Sequence, residues 1–131
     1  MIKASELRID VSKLLFVPTQ KEITISDGHL MWCYQNNEDF NKGFKPIPLT
    51  PELLEKCGFE WDSDKKTHIQ KETIEGALLT FYYEDNELDE IQFYSLDGMD
   101  YYRHPATFCK YLHQLQNIYY ALTNVELNIN L

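Results

Sequence analysis

The chain has 131 residues, enough for one domain that buries roughly two-thirds of its unfolded surface. Its net charge of −9, from 21 acids against 12 bases, comes without the Lys/Arg stripe that phosphate contacts require, which argues against direct nucleic-acid binding. No apolar run approaches a membrane span and "MIKASELRID" lacks a signal-peptide h-region, while Cys33, Cys57 and Cys109 are odd in number and far apart; free thiols in a reducing cytoplasm are expected.

The first third reads as β structure. "KEITIS" alternates, "DG" at Asp27-Gly28 is a type I′ turn signal, and "HLMWCYQ" continues as a second strand with Leu30, Trp32 and Tyr34 on one face. The polar stretch 36–48 reads as a loop. It leads into "PLTPELLEKCGFEW", which carries a full set of helix start and stop signals. Thr50 is the N-cap, Pro51 the first helical residue, and Leu49 and Leu54 have the spacing of a hydrophobic staple. Gly58 and Phe59 supply a Schellman ending. A helix this short does not persist alone in water, so it is expected to be a connector docked on a sheet.

"EWDSDKKTH" reads as a turn region. "GALLTFYYE" and "LDEIQFYSL" then form an antiparallel hairpin about "DNE", with Ile91 and Phe93 facing the core. After a second "DG" at Asp97-Gly98, "MDYYR" extends the sheet by a third strand. From Pro105 the period changes to about 3.6, and Phe108, Leu112, Leu115, Tyr119 and Leu122 define one long helix, with Pro105 at its first position and Asn124 as its C-cap. "VELNINL" alternates as a final strand. The expected fold is α+β in a single domain, 1–131. An antiparallel sheet, made of an N-terminal hairpin and a central acidic hairpin, packs against one long C-terminal helix, with one short capped connector helix.

Charge is confined. Between Lys71 and Arg103 there is no base, and the interval holds Glu72, Glu75, Glu84, Asp85, Glu87, Asp89, Glu90, Asp97 and Asp100. These nine acids equal the whole net charge, so the chain is a neutral body with one acidic segment. Acids on a rigid hairpin steer association with a basic surface. The same acids also keep a hairpin soluble and its edge unpaired.

Motifs for chemistry are sparse. Cys109 and His113 share a helix face beside His104, yet a structural zinc needs four ligands and no C-x-x-C or second His pair supplies them. A calcium loop beginning at Asp85 fails at its sixth position, Glu90, and at its twelfth, Leu96. Cys57 lies at the C-terminal end of its helix, where the dipole disfavours a thiolate. G-x-S-x-G, P-loop, G-x-G-x-x-G and H-E-x-x-H patterns are absent. No catalytic residue, metal ligand or cofactor is assigned. A pocket lined by His113, Gln116 and Tyr120 is the alternative site.

"PIPLTPELLEKCGFE" at 46–60 and "YLHQLQNIYYALTNVEL" at 111–127 resemble a recurrent family of small uncharacterised proteins of gut bacteria, found in prophage-like or mobile regions and in phages. "ELRIDVSKL" at 6–14 is similar to that family's opening motif, with Asp10 where Gly is usual, and Asn124 replaces the usual Gly after the helix. The resemblance implies a phage or mobile-element accessory protein in the cytoplasm of a bacterial host. It carries over no catalytic role.

Three functions follow as expectations. The first is a small non-catalytic interaction protein, in its sharpest form an acidic inhibitor of a host or defence protein, binding a basic partner surface through Glu84, Asp85, Glu87, Asp89, Glu90, Asp97 and Asp100. The second is a ligand-binding domain or enzyme with an aromatic pocket between sheet and long helix. The third is a structural accessory of a phage particle.

Overall fold

The computed structural model describes residues 1–61, 68–72, 78–84, 87–94, 101–105 and 109–129, with the side chains of 68, 72, 78, 93, 94, 101–105 and 122 outside that description. The chain is mixed helix and antiparallel sheet, and its residues group into two compact units. One comprises Met1–Pro48 with Tyr111–Ile118, the other Leu49–Lys110 with Tyr119–Leu131.

In the first unit, β1 (Lys13–Phe16) pairs with β2 (Lys21–Thr24) as an antiparallel hairpin, and β3 (Phe44–Lys45) pairs with the other edge of β1. "HLMWCYQ" is not the partner strand of "KEITIS". It lies within helix α1 (Asp27–Gln35), and Asp27-Gly28 is the first turn of that helix rather than a hairpin turn. The cause is local. Ser26 is the N-cap, its Oγ accepting from the His29 N–H, while the His29 Nδ1 accepts from the Ser26 N–H. This reciprocal pair satisfies two orphan donors with a histidine where Glu or Gln is usual. The stretch expected as a loop holds a second helix, α2 (Asn37–Gly43), capped by the Asn36 side chain.

Ile2, Leu7, Leu14, Ile25, Cys33, Phe40 and Phe44 form this unit's core. Phe40 stacks on Phe44 at 4.5 Å between centroids, with Phe16 at 5.2 Å from Phe44. The polar face of α2 is also used. The Ile2 N–H donates to Asn41 Oδ1, and the amides of Asn37 and Asn41 both donate to the Ile2 carbonyl, which anchors the N-terminal segment.

The second unit holds α3 (Pro51–Lys56), with the expected Thr50 N-cap, Pro51 in the first turn and a Schellman ending. Thr50 Oγ1 accepts from the Leu53 N–H at 3.2 Å. At the other end the Gly58 N–H bonds the Glu55 carbonyl and the Phe59 N–H bonds the Leu54 carbonyl, both at 3.0 Å, with Gly58 at φ +89°. That is the double bond of a Schellman motif. Lys71 completes the cap from β5 (His68–Glu72), its ammonium donating to the Cys57 carbonyl at 2.7 Å and lying 5.3 Å above the Tyr119 ring. Partial burial pulls the Lys71 pKa down.

A five-stranded meander follows in the order β4 (Glu60–Trp61), β5, β6 (Leu78–Glu84), β7 (Glu87–Tyr94), β8 (Tyr101–Pro105). Ile69, Phe81 and Ile91 are in register across β5, β6 and β7, and all three are buried. Phe59 packs edge-on against Phe81 at 5.5 Å. The expected hairpin and third strand are β6, β7 and β8. The expected single sheet is instead two.

The C-terminal helix, α4, runs only from Leu112 to Thr123. Pro105 ends β8 rather than opening a helix, so Cys109 lies before α4 and not on a face with His113. Asn124 caps the end in the left-handed region at φ +58°, its N–H bonding the Tyr120 carbonyl. Residues 125–129 form no strand, which corrects the expected "VELNINL" strand over its described part; 130–131 lie outside the described residues, as do the acids Asp97 and Asp100, the turn residues Asp85 and Asn86, and the Leu122 side chain.

Candidate functional site

Among the described residues, two places gather polar side chains around a concavity. The first is the end of the β6–β7 hairpin. Strand pairing runs in register from Leu78↔Tyr94 to Tyr82↔Glu90, then shifts so that Tyr83 faces Leu88 and Glu84 faces Glu87. Asp89 is the extra residue of this bulge and has no cross-strand partner. A bulge re-aims side chains and increases local twist. Glu84, Glu87, Leu88 and Asp89 line a concavity of about 180 Å³. Glu84, Glu87 and Asp89 are exposed and Glu90 is half-buried. Like charges directly opposite on paired strands work against the hairpin by a few tenths to about 1 kcal/mol.

Four of the seven acids expected to form the interaction site thus fall on described residues of one hairpin, and three of them surround one concavity. Asp85, Asp97 and Asp100 lie outside the described residues. Among the described residues no group of three His, Cys, Asp or Glu side chains is placed to hold a metal ion.

The second place is in the first unit, at the start of α4. His113 is 1% exposed, and its Nε2 lies 3.0 Å from Glu6 Oε2. Burial pulls its pKa down, against the hydrogen bond and charge of Glu6. The neutral imidazole therefore donates from Nε2 to the carboxylate, and Nδ1 is buried with no hydrogen-bond partner among the described residues. Tyr111 stacks nearly parallel on the His113 ring, with centroids 6.1 Å apart. Met1, Ile2, Glu6, Pro46, Tyr111, His113 and Gln114 line a cleft of about 190 Å³. An imidazole oriented by a carboxylate is the arrangement that general bases and histidine ligands share.

Gln116 is placed differently from the pocket reading. It is 3% exposed and clamps the chain at the start of β1, its Oε1 accepting from the Lys13 N–H and its Nε2 donating to the Val11 carbonyl. Asn117 works beside it, donating to the Glu6 carbonyl and accepting from Arg8 Nε. Tyr120 belongs to the second unit and is 41% exposed. Of the three pocket residues, His113 lines the cleft described here. Glu6 and Tyr111, its partners there, were not expected from sequence.

Cys33, Cys57 and Cys109 are buried and not joined in disulfides, and burial raises the Cys33 pKa and pushes the Cys109 thiol up to about 12. No helix among the described residues is long and apolar enough to cross a membrane. Comparisons with protein-family models, with curated proteins and with solved structures gave no significant match.

Proposed function

We propose that the chain is a small non-catalytic interaction protein of phage or mobile-element type, working in the cytoplasm of a bacterial host. It holds a basic surface of a protein partner with the acidic end of the β6–β7 hairpin, and inhibition of a host or defence protein is the form this takes. The observation that carries the reading is the facing pair Glu84 and Glu87 with the bulged Asp89 around one concavity. Such a cluster disfavours folding and favours association with cations. Two positions support the family resemblance behind the phage assignment: Asp10 and Asn124, which stand where Gly is usual, both take left-handed φ, +63° and +58°. Glycine adopts that region without strain, and Asp and Asn are its usual substitutes. Charge reversal at Glu84, Asp85, Glu87 and Asp89 tests the proposal. A basic partner captured from host lysate by the wild type should be lost; equal capture by the reversed protein removes the hairpin from the account.

The second reading is a small-ligand site in the first unit, favoured by the Glu6–His113 pair beside its cleft. An NMR-detected screen of small amines and hydroxyl compounds tests it. Shifts at Glu6, Tyr111 and His113 support it, and a screen that leaves these residues unmoved rejects it.

A further inference from the structure

Asp27 and Gly28 open α1, and the helix start brings two reactive groups together. Ser26 is the N-cap, so Gly28 is the second helical residue and its N–H is one of the orphan donors with no helical carbonyl to bond. It donates instead to the carboxylate of its own neighbour, the Gly28 nitrogen lying 2.8 Å from Asp27 Oδ1. While the carboxylate is charged, this contact is a local cap. The same contact keeps the nitrogen close to the side-chain carboxyl carbon, one bond beyond Oδ1, and intramolecular reactions gain most from proximity of that kind. Nothing shields the pair. Both residues are exposed, and Gly28 has no side chain to crowd its nitrogen. Deeper in a helix the nitrogen would be tied into the backbone ladder.

We infer that Asp27-Gly28 is a site of spontaneous backbone isomerisation, which converts Asp27 to isoaspartate and records the age of the chain. The chemistry needs only water. The Gly28 nitrogen attacks the protonated Asp27 carboxyl, a C–N bond forms, and the carboxyl OH leaves with the amide proton as water. The product is a five-membered succinimide. Water then adds at the main-chain carbonyl carbon of Asp27, and the old peptide C–N bond breaks. The main chain now runs through the former side-chain carboxyl carbon, longer by one methylene, and the former main-chain carbonyl is a free carboxylate. Mass is unchanged. The added backbone atom falls inside the reciprocal cap in which Ser26 Oγ and His29 Nδ1 each accept the other residue's N–H. Helix α1 thereby loses its start. Trp32, further along α1, meets Phe40 and Phe44 edge-on at 5.8 and 5.9 Å, so the change reaches the aromatic core of the first unit. This site is separate from the hairpin end and from the Glu6–His113 cleft, and it stands whether or not either binds anything.

The test incubates the full chain at neutral pH beside the free peptide TISDGHLM, which is residues 24–31. Isoaspartate is read by methyl transfer from an isoaspartyl carboxyl methyltransferase and located by fragment mapping. It should appear at Asp27 in the folded chain at about a third of the peptide's rate or faster, because the helix start holds the groups together. Slower conversion than that would overturn the inference, by showing that the helix keeps the groups apart. Isomer found only at Asp97, the chain's other Asp-Gly aspartate, would overturn it too. Gly28→Ala keeps the fold, since a β-carbon there meets only Ser26 Oγ at 3.7 Å, and it should slow conversion severalfold by crowding the nitrogen. Asp27→Glu should abolish conversion at this position, because its ring would need six members. Conversion in Gly28→Ala as fast as in the wild type would contradict the mechanism. The purified isomer should melt at a lower temperature with altered Trp32 fluorescence, and an isomer as stable as its parent would contradict the loss of the α1 start.

Discussion

Gly28 and Gly58 have opposite structural roles, and replacing each by alanine should have opposite signs. Gly58 sits at φ +89° as the residue after α3, and a β-carbon there would lie 3.0 Å from the Lys71 ammonium. The left-handed backbone costs an alanine about 1–2 kcal/mol. The ammonium must also shift from the Cys57 carbonyl, which it meets at 2.7 Å, losing part of a charge-assisted bond. The expected cost of Gly58→Ala is about 2–3 kcal/mol. Gly28 is in the first turn of α1, and the nearest atom to a β-carbon there is Ser26 Oγ at 3.7 Å, an ordinary contact. Gly28→Ala should therefore stabilise the protein, by about 0.5–1 kcal/mol from helix propensity alone. Urea unfolding with matched slopes measures both, and Trp32 and Trp61 give one fluorescence reporter in each unit. A destabilisation of about 1 kcal/mol at Gly28 would mean that Asp27-Gly28 is the hairpin turn its residues suggest, which needs left-handed backbone. A neutral Gly58→Ala would mean that the Schellman ending is wrong.

Other consequences follow from buried polar groups and backbone shape. Gln116→Leu leaves the Lys13 N–H and the Val11 carbonyl without their partner, which should cost about 2–3 kcal/mol, and hydrogen exchange at the Lys13 amide should accelerate. His113 is held below its ordinary pKa of 6.5 by burial, so the unfolded chain binds its proton more readily than the folded one. Its contribution to stability is complete above pH 6.5 and is lost as pH falls from there through the lowered folded value. His113→Gln should flatten the stability profile over that window in urea melts at stepped pH. Asp10→Gly and Asn124→Gly relieve left-handed backbone and should each be neutral to stabilising by up to about 1 kcal/mol, whereas Asp10→Val should be destabilising by more than that, as thermal melts will show.

What could be read from sequence was whatever the chain decides locally. The α3 signals, from Thr50 to Phe59, act within a few residues of one another, and the β6–β7 hairpin declares itself through alternation and a polar turn. Helix α1 was hidden because Met31, Trp32 and Tyr34 put apolar, β-prone side chains outside as well as in, which erases the 3.6 period; the surviving signal was Ser26 with a side-chain acceptor, His29, three residues on. In α2 only Phe40 is buried, too little for any period to emerge. The start of α4 depends on distant partners, as the Leu112 N–H bonds the Ile47 carbonyl and Tyr111 bridges to Pro48. The candidate sites divide in the same way. The run of nine acids without a base over 72–100 is a sequence fact, but the bulge at Asp89 is set by strand pairing, and Glu6 meets His113 across 107 residues.

The central claim, that the acidic end of the hairpin binds a basic partner, is tested most directly by measuring the affinity of that partner, once captured, for the wild type and for Glu84→Gln/Glu87→Gln/Asp89→Asn over a range of salt. Neutralising the three acids removes the like-charge conflict between Glu84 and Glu87, so the variant should be as stable as the wild type or more so. It should nevertheless bind about tenfold or more weakly, with a shallower dependence on salt. Equal affinity and an equal salt dependence in the two proteins would contradict the account.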